Sequence, residues 1–340
     1  MAFFKKVACF TDIHFGMKGN SRVHNDDCEA FIYWFIEQAK AEGCETCIFL
    51  GDWHHHRSAT NVSTMNYTVS NMERLGQAFE KVYVMMGNHD LFYREKREIN
   101  SMEYIRNIPN IHLVNDWIVE DDVAIIPWIV GDEWKKIQKL NQKYVFGHFE
   151  LPYFKMNAMV EMPDVGGIQT DHFEGCGQVF SGHFHKRQVM KNVTYMGNAF
   201  PHNYADAWDD DRGMMIIDYG KEPKYINWPD MPRYITIKVS ELLEDPDKYL
   251  KPKMYVRVTL DIKISYEEAN FVRETFIDKY DLRELQLIPE QVDNARQPLV
   301  EVQKFDSVDQ IVIKQLQGVD SEVYDKNVLT AIYNDLDVTN

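Results

Sequence analysis

The sequence predicts an α/β protein: two packed β-sheets flanked by helices in a four-layer sandwich, then a small α+β capping unit and C-terminal helices. Three observations carry this expectation. Strand and helix patterns alternate from the N-terminus to about residue 230, as they do where strands are joined by helical crossovers. Two stretches, 119–127 and 179–226, place strand after strand with only turns between them, which points to two packed sheets and away from one doubly wound sheet. The proline-bracketed run Trp228-Pro229-Asp230-Met231-Pro232 then closes this pattern, and a different one begins after it.

Taken in order, short β-branched or aromatic runs at 7–10, 47–50, 82–84, 144–146 and 179–180 read as strands. Residues 26–43 read as a helix, with Phe31, Phe35 and Ala39 on one face and Gly43 as its stop. A second helix is expected over 63–79 and a shorter third over 131–140. Beyond the linker, 234–239 and 255–264 alternate as strands, 266–280 reads as a helix and 284–288 as a further strand. From Ser307 the pattern is helical: Val308, Ile311, Val312, Leu316 and Val319 share a face. After Asp325, Val328, Leu329, Ile332, Tyr333 and Leu336 do so on a second helix. Two short amphipathic helices suit capping of the core or docking on a partner helix. The expected domains are 1–230, 231–303 and 304–340.

The chain has 340 residues, of which 45% are hydrophobic, 13% aromatic and 26% charged, enough for a full core and two domains. The N-terminal Met-Ala-Phe-Phe-Lys-Lys runs directly into the first strand, leaving no room for a signal peptide. No apolar stretch approaches the roughly 20 residues needed to cross a bilayer, so the expectation is a cytoplasmic protein with no membrane partner. The five cysteines are scattered, and Cys44 and Cys47 form a lone Cys-x-x-Cys with no second pair, so they read as structural thiols. The formal net charge of −16 excludes a protein that grips DNA unaided through a basic surface. Either the substrate is small or a partner supplies much of the grip.

Five segments end in metal-liganding side chains: Asp12-Ile13-His14; Gly51-Asp52 followed by His54, His55 and His56; Gly87-Asn88-His89-Asp90; Gly147-His148; and Gly182-His183-Phe184-His185. Eight of the twelve histidines fall within them. Any one of these histidines could be an ordinary core or surface residue, but that reading does not explain five motifs in order. Each follows a strand pattern, and a sheet holds its strand ends side by side, so the ligands can converge on one point. The set predicts a two-metal phosphoesterase.

The D-x-H, G-D, G-N-H-D, G-H and G-H-x-H blocks, in this order over about the first 190 residues, resemble those of the calcineurin-like metallophosphoesterases. The resemblance implies that Asp12, His14 and His185 hold one ion, that Asn88, His148 and His183 hold a second, and that Asp52 bridges both. Such a mixed oxygen and nitrogen set suits Mn²⁺, Fe or Zn²⁺ over Ca²⁺ or soft metals; the expected cofactors are two Mn²⁺ ions, with Mg²⁺, Fe or Zn²⁺ as alternatives. It further implies that His89 binds no metal but stabilises the transition state or protonates the leaving oxygen, with Asp90 orienting its ring. His55 occupies the G-D-x-x-H position of the double-strand-break repair nuclease branch, where a histidine acts on the substrate phosphate. His54 and His56 match nothing and receive no role.

The small α+β unit and tail helices resemble the capping domain and ATPase-binding helices of that branch, which includes the nuclease subunits of phage recombination complexes. So do Ile126-Pro127-Trp128, Gly197-Asn198-Ala199-Phe200-Pro201 and Asp211-Arg212-Gly213. The implied partners are DNA, an SMC-like coiled-coil ATPase bound through the tail helices, and a second copy in a homodimer. The implied activity is a Mn²⁺-dependent DNA nuclease, 3′-5′ exonucleolytic on duplex ends and endonucleolytic on single strands. A phosphatase or cyclic-nucleotide phosphodiesterase on the same scaffold is the alternative, and a non-catalytic scaffold a further one. Lys18, Arg22, Arg94, Lys96, Arg97, Lys186 and Arg187 follow the motifs and read as phosphate contacts or as solvated loop charges. Phe149, Tyr153 and Phe154 read as base-stacking, dimer-surface or core residues.

Overall fold

The computed structural model describes residues 2–156, 160–289 and 328. From the N-terminus, β1 (Lys6–Phe10) leads through a short turn α1 (Met17–Asn20) into helix α2 (Arg22–Ala41), then β2 (Thr46–Phe49), helix α3 (Val62–Ala78) and β3 (Lys81–Met85). A hairpin of β4 (Leu91–Tyr93) and β5 (Lys96–Asn100) precedes β6 (Ile111–Val114). Next come β7 (Ile118–Glu120), β8 (Val123–Ile126), β9 (Tyr144–His148), β10 (Gln178–Gly182), β11 (Gln188–Met190) and β12 (Val193–Tyr195). Then follow β13 (Gly213–Asp218) and β14 (Lys224–Asn227). Beyond the proline-bracketed linker stand β15 (Tyr234–Lys238), α4 (Val239–Glu244), α5 (Pro246–Tyr249), β16 (Tyr255–Leu260), α6 (Tyr266–Tyr280) and β17 (Glu284–Pro289).

The first sheet runs β14-β13-β1-β2-β3-β6 and the second β11-β12-β10-β9-β8-β7. In the first, β1, β2, β3 and β6 are mutually parallel. In the second, β8, β9, β10 and β12 are parallel. Parallel strands covered on both faces read as near-continuous apolar runs, and period-2 alternation divides those runs between two cores. Val7, Cys9, Ile48, Leu50 and Met85 face Ile125, Tyr144, Phe146 and Phe180 across the space between the sheets. Ala8, Phe10, Cys47, Phe49 and Val84 point the other way, onto Phe31, Phe35, Met72 and Leu75 of the two long helices. A third cluster, including Val145, Phe149, Phe154 and Val179, covers the far face of the second sheet. Each fully buried Phe in these layers contributes about 1.5–3 kcal/mol relative to exposure. All five cysteines are free and buried.

The expected strands and long helices are all present, with shifted ends. Helix α2 starts a turn earlier than its apolar face implied, because Ser21 accepts from the His24 amide and the first turn buries His24 and Asn25. A buried polar turn is invisible to hydrophobic periodicity. Residues 131–139 form a 3-10 helix, tighter than the α-helix expected there. The β4–β5 hairpin was not expected; its strands are short and mostly exposed, so they lack the apolar alternation of a core strand.

Residues 1–290 form one compact unit. Within it the three parallel strands β15-β16-β17 pack with α6 around their own core of Ile237, Leu242, Val256, Val258 and Leu285. The Arg283 guanidinium clasps the Asp27 carboxylate of α2, its Nη2 donating at 2.7 Å. The Lys18 ammonium donates to the Tyr234 hydroxyl and lies 3.9 Å from the centre of the Tyr255 ring. The two tail helices expected over 307–340 lie outside the described residues. No helix among the described residues is long and apolar enough to cross a membrane.

Candidate metal centre

The loops after β1 and β2 continue the parallel pairing of their strands. The Asp12 amide donates to the Gly51 carbonyl at 3.0 Å, His14 to Asp52 at 3.1 Å and Phe15 to Trp53 at 2.8 Å. Asp12 and His14 are therefore held in register beside Asp52. Their backbones turn sharply there: Asp12, His14, Asp52 and His183 all have positive φ, at 50°, 52°, 63° and 88°. Non-glycine residues seldom sit in this region, and such strain gathers at functional sites, where surrounding structure enforces it. Gly87 leaves room for this crossing, since a Cβ there would collide with the Asp52 carboxylate and backbone.

The side chains converge on Asp52. Its Oδ2 lies 3.6 Å from His14 Nε2 and 3.4 Å from His148 Nε2, and its Oδ1 accepts from the His89 amide at 2.8 Å. His148 donates through Nδ1 to the Leu50 carbonyl at 2.6 Å, which leaves Nε2 facing Asp52 and, at 3.2 Å, Asn88 Oδ1. His183 donates its amide to Asp12 Oδ2 at 3.0 Å, tying the second sheet's strand end to the first's. His185 Nε2 lies 3.9 Å from Asp12 Oδ1. Asp12, His14 and Asp52 form one group whose donor atoms lie within 4.8 Å of one another, and Asp52, His148 and His183 form another. Asp52 is common to both, which is the position a bridging carboxylate takes.

Electrostatics favour cations here. Burial pushes Asp52 up, but His148 and His14 outweigh it and hold its carboxyl well below the usual range. Burial pushes His148 down, and Asp52 and Asp12 more than reverse this, raising it to about 9. Burial holds His14 neutral, the form that ligates metal, and its Nδ1 is buried without a hydrogen-bond partner. Buried carboxylates, facing imidazoles and unpartnered ring nitrogens are what divalent cations of the Mn²⁺, Fe and Zn²⁺ type require, so the residues present fit two such ions.

His89 is part-buried, 4.9 Å from His14 and 5.3 Å from His55 between ring centres, stacked on the latter at 16°. Its Nδ1 donates to the His55 carbonyl at 2.7 Å. The expectation that Asp90 orients the His89 ring is corrected. Asp90 is fully buried, and its carboxylate accepts four backbone N–H bonds, from Asp52, Trp53, His54 and Gly87, at 2.9–3.0 Å. It therefore holds the loop that carries Asp52, while the His89 ring gives its Nδ1 hydrogen bond to the His55 carbonyl. Burial and the neighbouring Asp52 carboxylate push Asp90 up to about 7 against the pull of those amides. His55 is half-buried, and burial brings its pKa down to about 4. His54 is buried away from the centre, its Nδ1 2.8 Å from the Ser101 hydroxyl, and His56 is exposed.

Several residues expected to meet phosphate are committed elsewhere. Arg97 makes a bidentate pair with Glu133, Arg187 donates to Met196 and Asn227, and Lys18 donates to the Tyr234 hydroxyl. Arg94 pairs with Glu150 at 2.6 Å. Phe149 and Phe154 are core residues, whereas Tyr153 is half-exposed with its hydroxyl on Asp164.

Three further residues reach the centre unannounced by the motifs. Glu150 Oε1 lies 3.3 Å from His183 Nε2, and that hydrogen bond brings Glu150 down to about 2. Trp128 lies 5.2 Å from His183 between ring centres. His202 is fully buried and packs edge-to-face on His14 and His185. Each lies beyond a parallel strand of the second sheet (β9, β8 and β12), so the strand-end rule that gave the other ligands points to them too.

The family model for calcineurin-like phosphoesterases matches residues 5–187, which include every one of the five motifs. Among curated proteins, the chain is 24% identical over 317 residues to exonuclease subunit 1 of Enterobacteria phage T4, covering 85% of this chain and 92% of that protein. Among solved structures it is similar to the nuclease MPE of Pseudomonas putida, with 18% identity, 55% of this chain and 66% of that one covered, and a TM-score of 0.29. A dimetal phosphatase from Danio rerio is similar at 11% identity, covering 62% of this chain and 91% of its own, with a TM-score of 0.40.

Proposed function

This chain belongs to the calcineurin-like phosphoesterase family, and on that premise we propose that it is the nuclease subunit of a DNA recombination or repair complex. The observation that carries this reading is the likeness to the phage exonuclease subunit, which runs past the family's 5–187 core to 85% of the chain. Asp12, His14 and His185 would hold one ion, Asn88, His148 and His183 the other, and Asp52 both, with Mn²⁺ as the working metal. When bound, the two cations supply positive charge to the phosphoryl oxygens and lower the pKa of a water molecule enough for it to attack.

The protein's own groups do the rest. His89, held through Nδ1 by the His55 carbonyl, presents its other nitrogen as the proton carrier for the leaving oxygen. The His55 ring, stacked beside it, flanks the same phosphate. Asp90 acts through the loop it clasps: it keeps the Asp52 backbone in its left-handed turn and is a positioning residue. The net charge of −16 supports a reading in which another chain carries most of the DNA grip, and an SMC-like coiled-coil ATPase bound through the C-terminal segment fits that need. In this reading the subunit works as a homodimer, cutting duplex ends 3′-5′ and single strands internally.

Labelled duplex and single-stranded DNA, incubated with Mn²⁺ or Mg²⁺ with and without the ATPase subunit, tests the proposal. Mn²⁺-dependent cleavage stimulated by the ATPase is expected. Hydrolysis of small aryl phosphodiesters with no cleavage of either DNA under any of these conditions would favour a phosphatase or cyclic-nucleotide phosphodiesterase.

A further inference from the structure

Four of the twelve histidines stand outside the five motifs, and one of them, His202, is sealed against the metal centre. It follows β12, which is paired in parallel with β10, the strand that delivers His183 and His185. Its ring centre lies 5.4 Å from that of His14 and 5.3 Å from that of His185. One donor atom from each of the three imidazoles falls within 4.8 Å of the others. Both ring nitrogens of His202 are buried with no hydrogen-bond partner. Its backbone is fixed, because the His202 amide donates to Asp206 at 2.9 Å and Asp206 pairs with the buried Arg212 at 3.2 Å.

An imidazole needs a donor or acceptor for each nitrogen, and leaving both unmet in the interior is unfavourable unless something binds there. The neighbours that could compete for a proton are themselves imidazoles. A cation shared among the three would take one ring nitrogen of each.

We propose that His202 is a further ligand of the first cation, which would then be held by three imidazoles, His14, His185 and His202, beside the carboxylates of Asp12 and Asp52. The inference rests on the two-cation reading given above. It makes the two ions unequal: the first site becomes nitrogen-rich, while the second keeps the amide oxygen of Asn88. Nitrogen-rich sites favour Zn²⁺, Fe²⁺ and Co²⁺ over Mg²⁺. The first site should therefore retain a transition metal under conditions in which the second exchanges freely.

The full-length protein, stripped of metal and titrated with Co²⁺ while its visible absorption is followed, provides the test. Wild type is expected to bind two Co²⁺ per chain. His202→Leu is expected to keep one site unchanged and to weaken the other about tenfold or more, with a changed Co²⁺ spectrum. His202→Gln, which offers an oxygen in a similar volume, should recover part of that affinity with a spectrum of its own. Thermal unfolding of the metal-free proteins separates coordination from packing. If His202 is a ligand, His202→Leu melts no lower than wild type without metal and gains less on Co²⁺ addition. A folded His202→Leu protein with wild-type Co²⁺ affinities and spectrum would overturn the proposal. Fewer than two Co²⁺ on wild type would overturn the two-cation reading itself, and this inference with it.

Discussion

At His89 the ring Nδ1 donates to the His55 carbonyl while the backbone amide donates to Asp52 Oδ1, so the ring and the support it gives Asp52 are separable. Removing only its ring leaves the amide in place. His89→Ala is accordingly expected to slow DNA cleavage by about 10²–10⁴-fold while two Mn²⁺ still bind; paired measurements of cleavage rate and metal content check this. An unchanged rate would remove His89 from the mechanism. Asp90 calls for the opposite result. Asp90→Asn replaces one carboxylate oxygen with an amide that faces backbone donors, so the variant should lose about 1–3 kcal/mol of stability and also bind Mn²⁺ more weakly. Denaturant unfolding with wild-type stability, in a protein lacking only activity, would instead return Asp90 to a direct role on the His89 ring.

The β4–β5 hairpin leaves the Gly87–Asp90 loop and is tied to the 131–139 helix by Arg97 and Glu133. Both partners are largely buried, at 12% and 18% side-chain exposure, so this pair should matter more than a surface ion pair. Burial pushes the Glu133 carboxyl up, but hydrogen bonds from Arg97 and the Val130 amide outweigh it and leave the pKa below its ordinary 4.5. A carboxyl with a depressed folded-state pKa stabilises fully above its unfolded value and loses that contribution as pH falls through the folded value. Glu133→Gln should therefore cost about 1–2 kcal/mol at pH 7, and the gap to wild type should close as pH falls below 4.5. Unfolding curves for the two proteins across that range decide it; a gap that stays constant with pH would show that the charge does not stabilise the hairpin.

At the scale of the whole described chain, the β15–β17 sheet is tied to helix α2 by a buried ion pair. Asp27 is only 5% exposed, and Arg283 is its ion-pair partner. Arg283→Met would leave a buried carboxylate unpaired, at a cost of about 3–5 kcal/mol. Faster amide exchange is expected in β16 and β17, with exchange in β1, β2 and β9 and the Mn²⁺ stoichiometry unchanged. Exchange that rises equally in both regions would mean that the β15–β17 sheet and the two large sheets open as one cooperative body.

The sequence by itself determined the strands that carry the motifs, the long helices and the order of the five strand-end motifs. Period-2 and helical patterns are local, so they can be read wherever the chain goes. The order of the motifs also carried the two-metal chemistry, because each ligand type stands at the end of its own strand. Only the tertiary structure decided which atoms those ligands meet. His148 reaches Asp52 because β9 and β2 lie in different sheets packed face to face across a shared core. Asp90 turned out to face four amides, Arg97 to face Glu133, and His202 to stand beside His14 although 188 positions separate them. Such partners are set by long-range packing and by the demand that every buried polar group find a match, and neither leaves a periodic trace in the chain.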